Sequence, residues 1–256
     1  MEKKGKRRPT ATPIGRFRFI VGRLASLLQR LEHPKVMHGG LRGRSTRTYA
    51  QPHVGRPAIL KSDLESFFPN VRPGKVYNAF IELRCSPDVA RFLTRLTTLE
   101  GGLPQGSPTS TVVGNIVTHS LARRLDRLAK SFNGTAGTYV DDIVVSGPAF
   151  VENLAPTVKR IIEQEGFRQN TNKTKVFYGN EEQVVTGVRV NSCLDAPSAK
   201  VRETRDLIDS LDAEMEKHRN GDSTQVLSIR GKIAYIGTLN RGAAESLSKR
   251  LRRALR

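Results

Sequence analysis

Two adjacent acids, Asp141 and Asp142, interrupt a run of β-forming residues that extends from Thr138 to Ser146. Residues 138–140 and 143–146 read as strands, and the acids fall where turn chemistry tolerates them. The segment Tyr139-Val140-Asp141-Asp142 therefore predicts a hairpin with two carboxylates at its bend. Neighbouring carboxylates repel unless a cation neutralises them, so a divalent metal site is one reading. An ordinary solvated acidic turn is the other, and four residues alone do not separate the two.

The surrounding blocks separate them. Residues 58–64, Ala-Ile-Leu-Lys-Ser-Asp-Leu, form another strand-like run that carries Asp63 and leads into Phe67-Phe68-Pro69. Residues 102–110 read Gly-Leu-Pro-Gln-Gly-Ser-Pro-Thr-Ser, and downstream come Gly166-Phe167, Asn172-Lys173-Thr174 and Val185-Thr186-Gly187. This order resembles that of the reverse transcriptases, with their D-x-x-x-F-F, L-P-Q-G-S-P, Y-x-D-D and N-x-K-T blocks and a closing strand. The likeness runs over nearly the whole chain, and ordered blocks are far more specific than any one of them. It implies an α/β (α+β) right-hand polymerase with an antiparallel-sheet palm, shortened fingers and a helical thumb. Residues 1–190 would form fingers and palm (fingers mainly 1–56, palm mainly 57–190), and 191–256 the thumb.

Charge distribution suits a polyanion. The net charge is +19; residues 1–50 hold 13 Lys/Arg against Glu2 and Glu32, a net of +11, and residues 230–256 hold 8 against Glu245, a net of +7. The middle, at +1, carries the acids, so nucleic acid held on either side of a metal site fits better than two solvated tails. Both ends also carry apolar helical periodicity, which tails lack. Cys85 and Cys193 are too few for a disulfide framework or a zinc site and predict reduced thiols in a cytoplasm. No segment reads as a signal peptide or a membrane span.

Periodicity predicts a helix over residues 14–31, a loop over 33–56, and two helices over 73–99, the second opened by Ser86-Pro87-Asp88. Pro108 is expected at the first position of a helix reaching about Phe132, and residues 150–165 read as a helix stopped at Gly166. Strands are expected at 175–178 and 183–190, and helices from 198 to the end, broken near Gly221 and Gly242.

Joining a 3′-hydroxyl to an α-phosphate needs an activated oxyanion and a neutralised leaving group, which two divalent ions about 4 Å apart can supply. Asp63 and Asp141 are the expected bridging ligands, Asp142 the supporting acid, and Leu64 is counted with the metal-binding set. Hard oxygen ligands and phosphates point to Mg2+, with Mn2+ as the alternative. The resemblance gives Phe68 the place beneath the incoming sugar, where a ring clashes with a 2′-hydroxyl; Phe67 reads as core. Gln105 and Gly106, in a proline- and glycine-framed turn, are assigned to the dNTP or nascent base pair. Lys173 matches the lysine near the leaving pyrophosphate, a solvated surface lysine being its rival. Lys4 and Arg8 lie in a basic run that resembles the triphosphate-gripping block.

Met37-His38-Gly39-Gly40-Leu41-Arg42-Gly43-Arg44-Ser45 resembles the H-G-F-x-x-G-R-S stretch of bacterial retron enzymes. Val185-Thr186-Gly187 matches their V-T-G element, and residues 229–236 look like their thumb. The likeness assigns RNA recognition to Arg42, Arg44, Arg47, His53, Thr186 and Gly187, and template-primer contact to Lys232, Arg250, Arg252 and Arg253. It implies a structured RNA template, an RNA/DNA duplex and dNTPs as partners, an effector protein, and a role in phage defence. Two departures stand out. Tyr49 occupies the place of a family asparagine, and the chain opens at the triphosphate-gripping block, so it is a compact member, is completed by a partner at the fingers, or has a start site further upstream. Other readings are a different bacterial reverse transcriptase (group II intron-like, diversity-generating or abortive-infection type) and a catalytically silent nucleic-acid-binding module. Intact Asp63, Asp141 and Asp142 speak against the last.

Overall fold

The computed structural model describes residues 2–3, 6–7, 10–213 and 224–255. A short antiparallel ribbon comes first, β1 (Glu2–Lys3) against β2 (Lys6–Arg7). Helix α1 (Gly15–Leu28) follows as the periodicity predicts, but only part of its apolar stripe enters the core. Val21, Ala25 and Leu28 are buried, whereas Phe17, Ile20 and Leu27 are exposed. Within the predicted loop lies α2 (Thr46–Ala50), which five residues are too few to announce by periodicity. It is announced instead by its cap: the Ser45 hydroxyl accepts from Thr48 N while the Thr48 hydroxyl accepts from Ser45 N.

Strand β3 (Ala58–Asp63) leads through the single turn α3 (Phe67–Asn70) into α4 (Pro73–Glu82) and α5 (Pro87–Thr97). Ser86 caps α5 by accepting from Val89 N. The long helix expected over 108–132 is two helices, α6 (Ser110–Val117) and α7 (His119–Lys130). At the break, the Thr118 hydroxyl donates to the carbonyl of Gly114, four residues back, the local competition that disturbs helices at Ser and Thr. Pro108 precedes the cap residue Thr109 and so stands outside α6.

Strands β4 (Thr135–Tyr139) and β5 (Asp142–Gly147) form the predicted hairpin. A 3-10 stretch (Ala149–Leu154) and α8 (Ala155–Gln164) follow, and β6 (Lys175–Tyr178) returns to the sheet. The single strand expected over 183–190 is instead a tight hairpin, β7 (Val184–Val185) and β8 (Val188–Arg189), folded at Thr186-Gly187. Helices α9 (Ser198–Ala213), α10 (Thr224–Gly237) and α11 (Arg241–Ala254) complete the chain. The break expected at Gly242 falls at residues 238–240, because Asn240 caps α11 by accepting from Ala243 N. Gly221 lies outside the described residues.

The main sheet is antiparallel throughout, in the order β4-β5-β3-β6. Alternation along the strands sends Leu60, Ile143 and Val145 into a core with Phe80, Val113, Leu121 and Ile162 from the helices. Ile59 and Val144 point the other way, onto Tyr49, Val185 and Val188. The C-terminal helices hold a separate core that includes Ile208, Leu211, Ile233 and Leu247, and Leu239 packs against both this core and the Tyr49 cluster.

Candidate active site

Asp63 ends β3 and Asp142 begins β5, and the two are direct cross-strand partners. Residues opposite each other in an antiparallel pair project from the same face, so both carboxylates stand at one edge of the Tyr49 side of the sheet. Val140 and Asp141 form the two-residue turn between Tyr139 and Asp142, which pair across it. Val140 has φ +61, where a β-branched residue is strained and a glycine is usual. The strain is held from outside. Leu64 N donates to Asp141 O at 2.9 Å, and Gly39 packs so closely beneath the turn that a Cβ on it would lie 2.5 Å from Val140 N. Gly39 is delivered there by residues 36–38, which bond the free edge of β4 through Thr138.

Asp63, Asp141, Phe68, Gln105 and Lys173 line one cleft of about 410 Å³, together with Glu65, Asn170 and Asn172. The Lys173 ammonium donates to both carboxylate oxygens of Asp63, at 2.9 and 2.8 Å. Asp142 sits deeper. Its carboxylate accepts from the Thr186 hydroxyl, and its main-chain carbonyl from the Tyr49 hydroxyl at 3.3 Å. Burial pushes the Asp142 carboxyl above its ordinary range; Asp141 and Asp63 add to the shift, and Thr186 and the Lys61 ammonium oppose it. Burial likewise raises the Tyr49 hydroxyl well above the usual tyrosine value, so it stays a donor.

The remaining sequence-assigned residues divide by position. Phe68 is half-buried, its ring 5.3 Å from that of buried Phe67. Gln105 O accepts from Ala11 N at 2.8 Å, and Gly106 takes φ +111 against Thr12, so this turn is tied to the chain's start. The side chain of Leu64 is buried, which leaves its main-chain carbonyl as the only group it could offer. Lys4 and Arg8 lie outside the described residues. Arg42 and Arg47 are exposed, Arg47 donating to Thr238 O at 3.0 Å. Arg44 is turned inward and donates to the carbonyls of Pro34 and Met37. His53, expected at the RNA, is only 1% exposed, and its Nδ1 bonds the Ser146 hydroxyl at 2.7 Å. Thr186 and Gly187 face the site and the C-terminal helices rather than forming a separate patch. Lys232 pairs with Glu203 and Arg250 with Asp209, while Arg252 and Arg253 are exposed in the last turn of α11.

Sequence reasoning does not select Glu65, Asn170 or Asn172 as site residues. Asn172 lies within the N-x-K-T block; Asn170 has no signal, since only folding brings its N–H to Asp63 O at 2.8 Å. Tyr49 is the departure that folding explains. It is fully buried among His38, His53 and Tyr139 and supports the hairpin from below.

A divalent ion fits this donor set. The acids are hard oxygen ligands, and a lysine ammonium already spans both oxygens of Asp63, which marks that carboxylate as a cation site. Among the described residues no three or more His, Cys, Asp or Glu side chains form a closed cage. An ion here would complete its shell from water and substrate phosphates, as Mg2+ commonly does.

Comparison with known proteins gives a consistent picture. The family model described as reverse transcriptase (RNA-dependent DNA polymerase) matches residues 1–213. The chain is 34% identical over 249 residues to the retron Mx65 reverse transcriptase of Myxococcus xanthus, covering 89% of this chain and 57% of that protein. It is 27% identical over 215 residues to the retron Ec86 reverse transcriptase of Escherichia coli, covering 83% of this chain and 65% of that one. The chain thus spans between about half and two thirds of the length of these curated relatives. In fold it is similar to apo telomerase from Candida tropicalis, with a TM-score of 0.55 at 10% identity over 93% of this chain and 50% of that one.

Proposed function

The chain belongs to the reverse transcriptase family, and on that premise we propose that it extends a primer 3′-hydroxyl with dNTPs on an RNA template. The observation that carries this reading is the cross-strand pairing of Asp63 with Asp142, with Asp141 in the turn, beside a cleft that also holds Phe68, Gln105 and Lys173. Asp63 and Asp141 would hold two divalent ions, Mg2+ for preference, which when bound activate the attacking oxygen and neutralise the leaving pyrophosphate. Leu64 would add its main-chain carbonyl. The Phe68 ring closes the side of the cleft where a 2′-hydroxyl would project. Gln105 offers an amide to the nascent base pair. Lys173 leaves Asp63 as substrate enters and donates a proton to the departing pyrophosphate.

In this reading residues 1–56 act as fingers, residues 57–190 as palm and the C-terminal helices as thumb, with exposed Arg252 and Arg253 on the duplex. The relatives are named as retron reverse transcriptases, which supports a retron-type role. With that role we infer a structured RNA template, a small DNA product, an effector protein and phage defence in a bacterial cytoplasm. Among the described residues no helix is long and apolar enough to cross a membrane.

The test is Mg2+-dependent dNTP incorporation on a supplied RNA template and DNA primer. Asp63→Asn and Asp141→Asn should each lower the rate by about a hundredfold or more, the loss of several kcal/mol of transition-state stabilisation. Template binding without incorporation would leave a silent binding module. Expression with native flanking DNA addresses the retron role: an RNA-linked DNA that co-purifies only with the intact acids supports it, and RNA without DNA counts against it.

A further inference from the structure

We propose that Thr186 and Tyr235 are positioning residues that orient the Asp142 carboxylate and tie it to the C-terminal helices. The inference rests on the polymerase reading for its catalytic consequence, but its geometry stands independently. The Thr186 hydroxyl donates to Asp142 Oδ2 from the tip of the β7–β8 hairpin. One residue on, Gly187 O accepts from the Tyr235 hydroxyl of α10 at 3.1 Å. The Lys200 ammonium of α9 lies over the Tyr235 ring, 3.7 Å from its centre, and adds a second hold on that side chain. A continuous path therefore runs from two C-terminal helices, through one two-residue turn, to an acid of the site.

The turn is built at a cost that this role explains. Both central residues have positive φ, +41 at Thr186 and +80 at Gly187, as a two-residue hairpin of the favoured hand requires. Asn, Asp or Gly is favoured at the first of these positions, and a β-branched residue is an outlier there. Observed strain at a site points to function when the surroundings enforce it. Here they do: Val185 and Val188 are fully buried in the Tyr49 cluster, and the Lys61 ammonium donates to Val184 O at 3.0 Å. What the threonine supplies in return is one hydroxyl aimed at Asp142. Tyr235 is not the only attachment of the helices. Arg47 donates to Thr238 O, and Asn240 to Asp195 Oδ1 at 2.7 Å. Removing the Tyr235 hydroxyl should thus loosen the link without detaching the helices.

The test compares wild type with Thr186→Gly, Thr186→Ser and Tyr235→Phe, using dNTP kinetics, melting temperature and hydrogen exchange. Thr186→Gly relaxes the turn, so its melting temperature should equal or exceed that of wild type, while kcat falls about tenfold with KM for dNTP little changed. Thr186→Ser, which keeps the hydroxyl, should restore most of that kcat. Tyr235→Phe should speed amide exchange in residues 184–189 and 139–143 at unchanged melting temperature. Wild-type kcat in Thr186→Gly, or a serine variant no better than the glycine one, would overturn the positioning role. If wild type incorporates no dNTP, the polymerase reading fails. Exchange then decides alone: faster exchange at 139–143 in Thr186→Gly and Tyr235→Phe upholds the link, and unchanged exchange refutes it.

Discussion

Val140 and Thr186 are both β-branched residues at positive φ, and both lie in two-residue turns beside the acids. Neither conformation is one the residue prefers, so each turn is held by what packs around it. For Val140 the wall is Gly39, whose missing side chain admits the turn. Gly39→Ala should force the Tyr139–Asp142 bend away and cost about 1–3 kcal/mol of stability, as overpacking does. Its effect on dNTP incorporation should exceed its effect on template binding; equal losses in both would make Gly39 a general packing position. Phe68 yields a sharper expectation. Phe68→Ala should raise ribonucleotide incorporation relative to dNTP, and an unchanged ratio would remove the ring from sugar discrimination.

Helix boundaries here are decided by caps and local hydrogen bonds more than by propensity. Ser86, Ser45 and Asn240 each satisfy N–H groups that the first turn of a helix leaves orphaned. Ser86→Ala should lower stability by about 1 kcal/mol in denaturant unfolding. It should leave incorporation rates unchanged, since Ser86 does not line the cleft. Short elements escape prediction for one reason: α2 and the β7–β8 hairpin hold too few residues for a period to repeat. Both lie against Ile59 and Val144, so the face of the sheet that carries Asp63 and Asp142 is covered by pieces only folding assembles.

Across the whole molecule, four of the five histidines are held below their ordinary value of 6.5, burial being the largest cause in each. His53 is pushed down to about 3, and His38 and His119 to about 4. His33 Nδ1 and His119 Nε2 share one hydrogen bond at 3.0 Å, which needs a neutral partner. As pH falls below 6.5, the unfolded chain takes up protons that the native state refuses until about 4. The unfolded state then binds more protons, so stability falls with falling pH through that window. Melting temperature measured from about pH 7.5 to about pH 4.5 should drop accordingly, and His53→Asn should make the descent shallower. The two basic ends lead to a second expectation: template-primer affinity should weaken steeply with salt, and Arg252→Ala with Arg253→Ala should flatten that dependence. Charge removal is the cleaner test, because truncation after Leu247 would also remove buried Leu251 from the helical core.

Local signals are enough for the family, the acid-bearing hairpin, β3 and most helices, since strand alternation, helix period and capping act over a few neighbouring residues. The order of the blocks also singles out Asp63, Asp141 and Asp142, because spacing along the chain carries that information. What contacts what across long separations lies beyond it. That Thr186 reaches Asp142, that Gly39 underlies Val140, that Lys173 bridges the two oxygens of Asp63 and that Tyr49 and His53 are buried are all consequences of packing. A side chain's partner is set by the steric fit of the assembled sheet and helices, and that fit exists only once the chain has closed on itself.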